Sequence, residues 1–239
     1  MEKLITYPTL RNFAYSNDKI CKKPVRGIAL SFFGLGGQTM FDDDPELGVF
    51  LAERGIVLLI PYTNPWSWMN RQAVDYADEL VDVIMTEYAL PESTPVIACG
   101  GSMGGQSALV YTAYAKRTPK ACVTNCPVCD LPYHFTERPD LPRTLYSAFG
   151  QYACSLDEAL RSASPLHLAE AGKMPDVKYT LFHCEEDKAV NKQMHSDRFV
   201  KALPFAVQYY AVPERGHCDL PEEFKAMYNQ AITDGCTEE

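Results

Sequence analysis

A serine between two glycines is the residue whose surroundings point most directly to chemistry. Ser102 is the central residue of a G-x-S-x-G motif at 100–104, which follows an apolar run at 95–99 and precedes a helical pattern at 103–117. A serine on a sharp turn between a strand and a helix projects its hydroxyl above the sheet, and the first N–H groups of the helix face developing negative charge. The motif therefore predicts a nucleophilic serine. The alternative is an ordinary turn in which Ser102 only caps the helix.

A cysteine pair is the second feature with chemical potential. Cys126 and Cys129 form a C-x-x-C motif, with Cys122 and His134 nearby, which suggests a metal or redox site. Zinc sites usually require a second such pair, which this chain lacks, and the pair follows a strand without opening a thioredoxin-like helix. The nine cysteines are an odd number, so reduced thiols are expected in place of a disulfide framework. No metal and no cofactor are predicted.

Apolar runs and helical patterns alternate along the chain. Runs typical of buried parallel strands occupy 25–33, 55–61, 95–101, 120–126 and 177–184. A sixth run, 206–212, alternates as a strand nearer the sheet edge does, and the N-terminal segments KLITY and NFAYS are expected to be antiparallel edge strands. Helical patterns cover 70–88, 103–117, 191–203 and 221–233. This order predicts an α/β fold with a mostly parallel sheet flanked by helices.

One stretch interrupts this alternation. Residues 130–172 contain several prolines, aromatic residues and short helical patterns, but no strand. The stretch is too long for an ordinary connection. We therefore predict a small helical cap inserted into a single domain that spans 1–239.

The G-x-S-x-G turn in its strand–turn–helix context makes the chain resemble an α/β-hydrolase over nearly its whole length. The resemblance implies the α/β-hydrolase fold and a catalytic triad in the chain order serine, acid, histidine. Asp187 matches the acid, because His183, Asp187 and Val190 fall on a His-Gly-x-x-Asp-x-x-Val pattern common in the family, with Cys184 in place of glycine. Nearby Glu185 and Glu186 are alternatives for the acid.

The resemblance also locates the base, since the family places it in a Gly-His pair soon after the last strand. His217 stands in such a pair. Of the other histidines, two lie in the predicted cap, one is expected to be exposed on a helix, and one precedes the acid and is expected to be structural: His134, His167, His195 and His183. Ser102, Asp187 and His217 each follow a strand, and the carboxyl ends of strands are where open α/β sheets bind ligands.

The loop after the first long strand is predicted to supply an oxyanion hole. In the family this loop often begins His-Gly, and the next backbone N–H is one donor. Here Phe33 replaces the histidine and Gly34 is kept, so Leu35 matches the donor, with Gly36 as an alternative. The second donor is the N–H of Met103, the residue after the nucleophile. The glycines do not have the spacing of a phosphate-binding G-x-G-x-x-G motif.

Two loops are predicted to contact the substrate. Gly34 and Gly36 belong to the oxyanion loop, and Trp66 and Trp68 follow the run at 55–61. The tryptophans either line an acyl or aromatic pocket or pack their loop against the sheet. Aromatic residues of the cap either close over the substrate or form the cap's own core, and the second interpretation is favoured.

Charge and hydropathy exclude some partners. The formal net charge of -9 disfavours nucleic acid and anionic membranes, because both reward clustered Lys and Arg. No apolar run approaches the roughly 18 residues of a membrane span, and no signal-peptide pattern follows the first lysine, so a cytoplasmic location is expected. A homodimer is left open.

The resemblance finally implies a reaction class. The segment 164–203 is similar to the catalytic domains of prolyl-oligopeptidase-like enzymes, whose single-domain relatives include acetyl-xylan and feruloyl esterases. A small-molecule ester is therefore the expected substrate, with small or medium acyl groups, since the sequence shows no propeller of the kind that restricts peptide access in the oligopeptidases. Peptidase or amidase activity on short peptides and a non-catalytic ligand-binding relative are the alternatives.

Overall fold

A mostly parallel β-sheet lies at the centre of the computed structural model, which describes residues 4–37 and 40–237. The strands of these residues are Ala14–Ser16 (β1), Gly27–Phe32 (β2), Ile56–Pro61 (β3), Val96–Gly101 (β4), Ala121–Asn125 (β5), Lys178–Cys184 (β6) and Gln208–Val212 (β7). Their order across the sheet is β1-β3-β2-β4-β5-β6-β7. Within it, β1 is antiparallel to β3, and the other neighbouring pairs are parallel.

The helices connect these strands. They are Glu46–Ala52 (α1), Arg71–Glu87 (α2), Met103–Tyr114 (α3), Leu131–Glu137 (α4), Leu141–Phe149 (α5), Leu156–Ser162 (α6), Pro165–Glu170 (α7), Arg198–Ala202 (α8) and Glu222–Thr237 (α9). A 3₁₀ helix covers Tyr7–Asn12, and a π-helical turn covers Gln193–Asp197. None of the helices in the described ranges is long and apolar enough to cross a bilayer.

The strands are almost continuously apolar because helices cover both faces of the sheet. On one face, Leu80 of α2 belongs to the same buried core as Leu30 and Leu59. On the other face, Ile232 of α9 packs in a core with Ile97. A strand that is buried on both sides needs apolar residues at every position, so the runs do not alternate.

The register brings the carboxyl ends of the central strands to one edge of the sheet. Gly101 at the end of β4 pairs with Asn125 at the end of β5, and Cys184 at the end of β6 pairs with Val212 at the end of β7. Residues that directly follow these strands therefore meet at this edge.

The six predicted runs each contain a strand, and β7 lies at a sheet edge, as its alternation indicates. The prediction for NFAYS is confirmed by β1, but that for KLITY is wrong over its described residues. A 3₁₀ helix begins at Tyr7 instead, since Pro8 suits the first turn of a helix and Thr6 and Thr9 form a reciprocal capping pair. Lys3 lies outside the described residues.

Four helices, α4 to α7, lie between β5 and β6 where the sequence predicts the cap insertion. Their apolar side chains form a core separate from the two cores of the sheet, and Leu131, Leu145 and Phe149 belong to it. Trp68 and Met103 join this core from the main body of the fold, so the helices pack directly above the carboxyl edge of the sheet.

Candidate active site

Ser102 occupies the turn between β4 and α3 in a conformation that non-glycine residues rarely adopt. Its φ of 57° and ψ of -125° lie in the left-handed half of backbone space. Backbone hydrogen bonds hold the turn: the Ser102 N–H donates to the carbonyl of Asn125 at 2.9 Å, and its carbonyl accepts from the Gln106 N–H at 3.1 Å. The Ser102 hydroxyl makes no capping hydrogen bond with α3, which removes the argument that this serine is present as a helix cap.

The flanking glycines are required by close backbone contacts. A Cβ at Gly104 would lie 2.0 Å from the carbonyl oxygen of Phe32, and a Cβ at Gly100 would lie 2.5 Å from the backbone of Gly104. The first turn of α3 therefore packs against β2 and β4 at a separation that admits only hydrogen at these positions.

His217 and Asp187 form a hydrogen-bonded pair at the carboxyl edge of the sheet. Nδ1 of His217 lies 2.7 Å from Oδ2 of Asp187. The other carboxylate oxygen, Oδ1, accepts from the N–H groups of Ala189 at 2.8 Å and Val190 at 3.0 Å. The Asp187 side chain is fully buried, whereas His217 is partly exposed. The acid is thus held in one orientation, and it holds the imidazole through Nδ1.

The pair shifts the pKa values of both residues. Burial by itself raises the pKa of Asp187, but the hydrogen bonds from His217, Val190 and Ala189 outweigh it and hold the pKa below its usual range. Burial by itself lowers the pKa of His217, but the hydrogen bond to Asp187, together with the neighbouring Cys126, outweighs it and raises the pKa to about 9. The imidazolium is therefore stabilised, as a base that accepts a proton in a transition state requires.

The structure joins His217 to Asp187 but not to Ser102. The described residues offer the Ser102 hydroxyl no hydrogen-bond partner, and Nε2 of His217 instead lies 3.7 Å from Sγ of Cys218. Both segments meet on one residue, because the Asn125 carbonyl accepts from the Ser102 N–H and the Asn125 side-chain amide donates to the Cys218 carbonyl at 3.2 Å. Asn125 therefore contacts both the turn that carries Ser102 and the loop that carries His217.

Two backbone N–H groups near Ser102 are unpaired within the part of the chain that the structure describes, one in the loop after β2 and one in the first turn of α3. Over the described ranges, the N–H groups of Leu35 and Met103 have no hydrogen-bond partner. The N–H of Gly36 is already committed, because it donates to the carbonyl of Pro65 at 3.2 Å. Gly34 lies close by, since a Cβ there would be 3.9 Å from Cβ of Ser102. Among the described residues, Leu35 therefore has an unpaired N–H in this loop, whereas Gly36 does not.

The two tryptophans have different environments. Trp68 is completely buried, its indole N–H donates to Oγ1 of Thr144 at 3.1 Å, and its ring meets His134 edge-on. Trp68 thus has the environment of the packing alternative, because this side chain fastens the α4 to α7 helices to the main body. Trp66 is partly exposed, and it lines a cavity of about 310 Å³.

His183 and His195 are both buried among hydrogen-bond partners, as expected for His183 but not for His195. His183 is fully buried between Ser196 and the carbonyl of Val190, at 2.7 and 3.1 Å, and burial lowers its pKa to about 4. His195 is also fully buried, so the expectation that it is exposed is wrong. Its Nδ1 accepts from two backbone N–H groups, which leaves Nε2 to donate to Glu137 at 2.9 Å.

A His–Glu–His cluster between α4 and the π-helical turn was not predicted from the sequence. His134 and His195 both contact the same carboxylate oxygen of Glu137, and the three side chains have the residue types of a metal site. The i, i+3 spacing of His134 and Glu137 on one helix turn is the available sequence signal. The contacts are those of hydrogen bonds, so the cluster ties α4 to the turn before α8.

The two cysteines of the C-x-x-C motif do not act together on one site in the folded chain. Cys126 and Cys129 are both completely buried, and neither is in a disulfide. The thiol of Cys126 instead lies beside His217 and Cys218, which come from a distant loop.

Comparisons with known proteins support the fold. No family model matches the chain, and no curated protein matches its sequence. Solved structures do match: an S-formylglutathione hydrolase from Agrobacterium tumefaciens has a TM-score of 0.67 at 14% identity, over 88% of this chain and 83% of that one. Est1E from Butyrivibrio proteoclasticus has a TM-score of 0.58 at 15% identity, over 92% and 91%.

A puromycin-hydrolyzing peptidase from Mycobacterium tuberculosis has a TM-score of 0.65 at 17% identity, over 90% of this chain. The chain spans 33% of the length of that peptidase. Identities this low speak to architecture alone. The sheet order, the flanking helices and these structural matches establish that the chain has the α/β-hydrolase fold.

Proposed function

We propose that the chain is a serine hydrolase that cleaves carboxylic esters of small or medium acyl groups. One observation carries the proposal: Ser102 stands in a strained strand-to-helix turn, between two unpartnered N–H groups and a histidine that is oriented by a buried carboxylate. A serine in a purely structural turn needs neither the strained backbone nor the oriented imidazole.

The proposed reaction begins when a substrate carbonyl enters beside Ser102. The hydroxyl turns toward Nε2 of His217 and gives up its proton as Oγ bonds to the carbonyl carbon. The N–H groups of Leu35 and Met103 donate to the oxyanion of the tetrahedral intermediate. The ester C–O bond then breaks, and the alcohol leaves with the proton from His217.

Water completes the cycle. His217 deprotonates a water molecule, which attacks the acyl-enzyme and releases the acid with Ser102 restored. Asp187 keeps Nδ1 of His217 protonated in both halves of the reaction, so that Nε2 is always the atom that exchanges the proton. Removal of a single oxyanion donor typically costs about 2.7–4 kcal/mol of transition-state stabilisation, so the two donors are a large part of the proposed catalysis.

Esters are proposed as substrates in preference to amides. The fold is shared with an S-formylglutathione hydrolase and Est1E as well as with a puromycin-hydrolyzing peptidase, so peptide or amide cleavage is the second candidate. Trp66 is the aromatic residue proposed to contact the acyl group or the alcohol, because it packs, like Leu35, against the core that contains Met103.

The test is a substrate panel with two serine variants. We expect the wild-type chain to hydrolyse p-nitrophenyl esters of short acyl chains faster than aminoacyl amides, and to be labelled at Ser102 by a fluorophosphonate. Ser102→Ala should abolish both turnover and labelling. Ser107→Ala is the matched control, because Ser107 is a buried serine on the first part of the same helix.

Each outcome bears on a different part of the proposal. Ester hydrolysis that survives Ser102→Ala would exclude Ser102 as the nucleophile. Faster cleavage of amides than of esters would favour the peptidase candidate. A wild-type chain that is neither labelled nor active would leave a non-catalytic ligand-binding protein.

A further inference from the structure

Three side chains of the types that bind zinc, two thiols and one imidazole, lie together at the proposed active site. They are Cys126, which follows β5, and His217 with Cys218 in the loop after β7. Their donor atoms all lie within 4.8 Å of one another, and Nε2 of His217 is 3.7 Å from Sγ of Cys218. This thiol–imidazole cluster is the set of residues used below.

The spacing of the cluster fits tetrahedral zinc. With Zn–S about 2.3 Å and Zn–N about 2.0–2.1 Å, the edge between a sulfur and a nitrogen ligand of a tetrahedron is about 3.6 Å. The distance between Nε2 of His217 and Sγ of Cys218 is 3.7 Å, which already matches. The Cys126 donor lies within 4.8 Å of the other two, so it needs to move by no more than about 1 Å to reach the same edge length.

The surroundings of the cluster are those of a metal-ligand shell. Asp187 accepts from Nδ1 of His217, which leaves the Nε2 lone pair directed at the cluster, and a carboxylate behind a histidine ligand is the usual arrangement at zinc. Sγ of Cys126 accepts a hydrogen bond from the Cys184 N–H at 3.3 Å, which fixes the position of the sulfur. Cys126 is buried and Cys218 is partly exposed, so the cluster has a solvent-facing side.

We propose that Cys126, His217 and Cys218 bind one zinc ion, or another thiophilic divalent cation, and that this binding switches the proposed hydrolase off. On binding, each thiol releases its proton to solvent and its sulfur bonds to the metal, and Nε2 of His217 likewise gives up its proton, where it carries one, and forms the third bond through its lone pair. Three protein ligands leave one tetrahedral position for water. No electron is transferred, and no oxidant is required.

The inhibitory consequence follows from competition for one atom. Nε2 of His217 is the atom that would take the proton of Ser102, and a metal-bound Nε2 has no lone pair left for it. This consequence rests on the proposed function, whereas metal binding by the cluster does not. The two parts are therefore measured separately.

Metal binding is measured on the full chain with cadmium as the probe, under argon with a phosphine reductant. Titration followed by cadmium–thiolate absorption in the ultraviolet should show one ion per chain. Cys126→Ser and Cys218→Ser should each lower the affinity by at least tenfold, and Asp187→Asn should lower it about 10–100-fold through the outer contact. Cys154→Ser is the matched control, because Cys154 is an exposed cysteine outside the cluster.

A second measurement requires no variant. Zinc should protect Cys218, the partly exposed thiol of the cluster, from alkylation by iodoacetamide in the wild-type chain, as read by peptide mass spectrometry, and should leave the exposed Cys154 reactive. Equal affinity of wild type and the Cys126→Ser, Cys218→Ser double variant, or alkylation of Cys218 that zinc does not slow, would overturn the proposed site.

The inhibitory role is measured by zinc titration of ester hydrolysis, with each variant normalised to its own metal-free rate. Wild-type hydrolysis should fall with the same dissociation constant that binding gives, and a chelator should restore it. The Cys218→Ser variant should need at least tenfold more zinc. Stoichiometric zinc binding with an unchanged rate would overturn the inhibitory role. A metal-free chain without Ser102-dependent hydrolysis would refute the proposed function, while the binding result stands on its own.

Discussion

The strained turn at Ser102 predicts that one inactive variant is more stable than another. The φ of 57° and ψ of -125° are the mirror image of ordinary extended backbone. Glycine enters this region freely, whereas the Cβ of any other residue makes it costly. We therefore expect Ser102→Gly to relieve strain that Ser102→Ala retains, although both variants remove the hydroxyl and should be equally inactive.

The size of the difference follows from two opposing contributions. A non-glycine residue held in such a region costs about 1–3 kcal/mol in the folded state. The extra freedom of glycine in the unfolded chain costs about 0.5–1 kcal/mol. The net expectation is that Ser102→Gly exceeds Ser102→Ala by about 1 kcal/mol in free energy of unfolding, which is about 2–4 °C in Tm for a chain of this size.

The assay is equilibrium unfolding in urea of both variants, with the same pair of substitutions at Ser107 as the control. Ser107 lies inside α3 with ordinary helical backbone, so Ser107→Gly should be less stable than Ser107→Ala by about 1 kcal/mol. A stability difference between the Gly and Ala variants that has opposite signs at Ser102 and Ser107 would demonstrate the strain. If Ser102→Gly is less stable than Ser102→Ala by the amount seen at Ser107, the turn stores no strain and the reasoning is refuted.

Three further predictions concern the surroundings of the serine. Because neutral His217 is the proposed base and its pKa is raised to about 9, kcat/KM should increase as pH rises toward that value. Asp187→Asn should shift this rise in the pH profile to lower pH and reduce kcat. A rise at the same pH in the variant would contradict the pairing of the two residues. Gly104→Ala should destabilise the fold by about 3 kcal/mol or more in thermal unfolding, because its Cβ would lie 2.0 Å from the Phe32 carbonyl oxygen; a Tm equal to wild type would show that the turn relaxes. Trp68→Ala should lower the free energy of unfolding by about 3–5 kcal/mol in urea, whereas Trp66→Ala should change KM more than stability; the reverse pattern would contradict their assigned environments.

Two members of the proposed triad could be located from local sequence patterns. The apolar runs at 95–101 and 177–184 were sufficient to locate β4 and β6, and the turns after them carry Ser102 and Asp187. A buried parallel strand needs apolar residues on both faces, so it leaves a local signal in the sequence. The prediction of a strand at KLITY was wrong because the segment has few apolar residues. The adjacent proline and the two capping threonines favour a helical turn there instead.

Contacts between residues that are distant in the chain leave no such signal in the sequence. Nothing local distinguishes Trp68, which is buried under the α4 to α7 helices, from Trp66, which borders a cavity, because burial depends on what the chain places above each ring. His195 has charged neighbours in sequence and was expected at the surface, yet it packs against Glu137 from a different helix. The free N–H of Leu35 and the committed N–H of Gly36 likewise depend on where Pro65 lies.

By itself, the sequence determined the α/β fold and the strand-to-helix turn at Ser102, because strand periodicity and glycine spacing are local properties of the chain. The order of the proposed partners, Asp187 and His217, followed from the resemblance to α/β-hydrolases. Only the tertiary structure decided that Cys126 lies beside His217 and Cys218, 91 and 92 positions further along the chain, and not with its near neighbour Cys129. The physical reason is the parallel sheet, which gathers the carboxyl ends of strands that are distant in the chain at one edge and thereby creates contacts that no local pattern encodes.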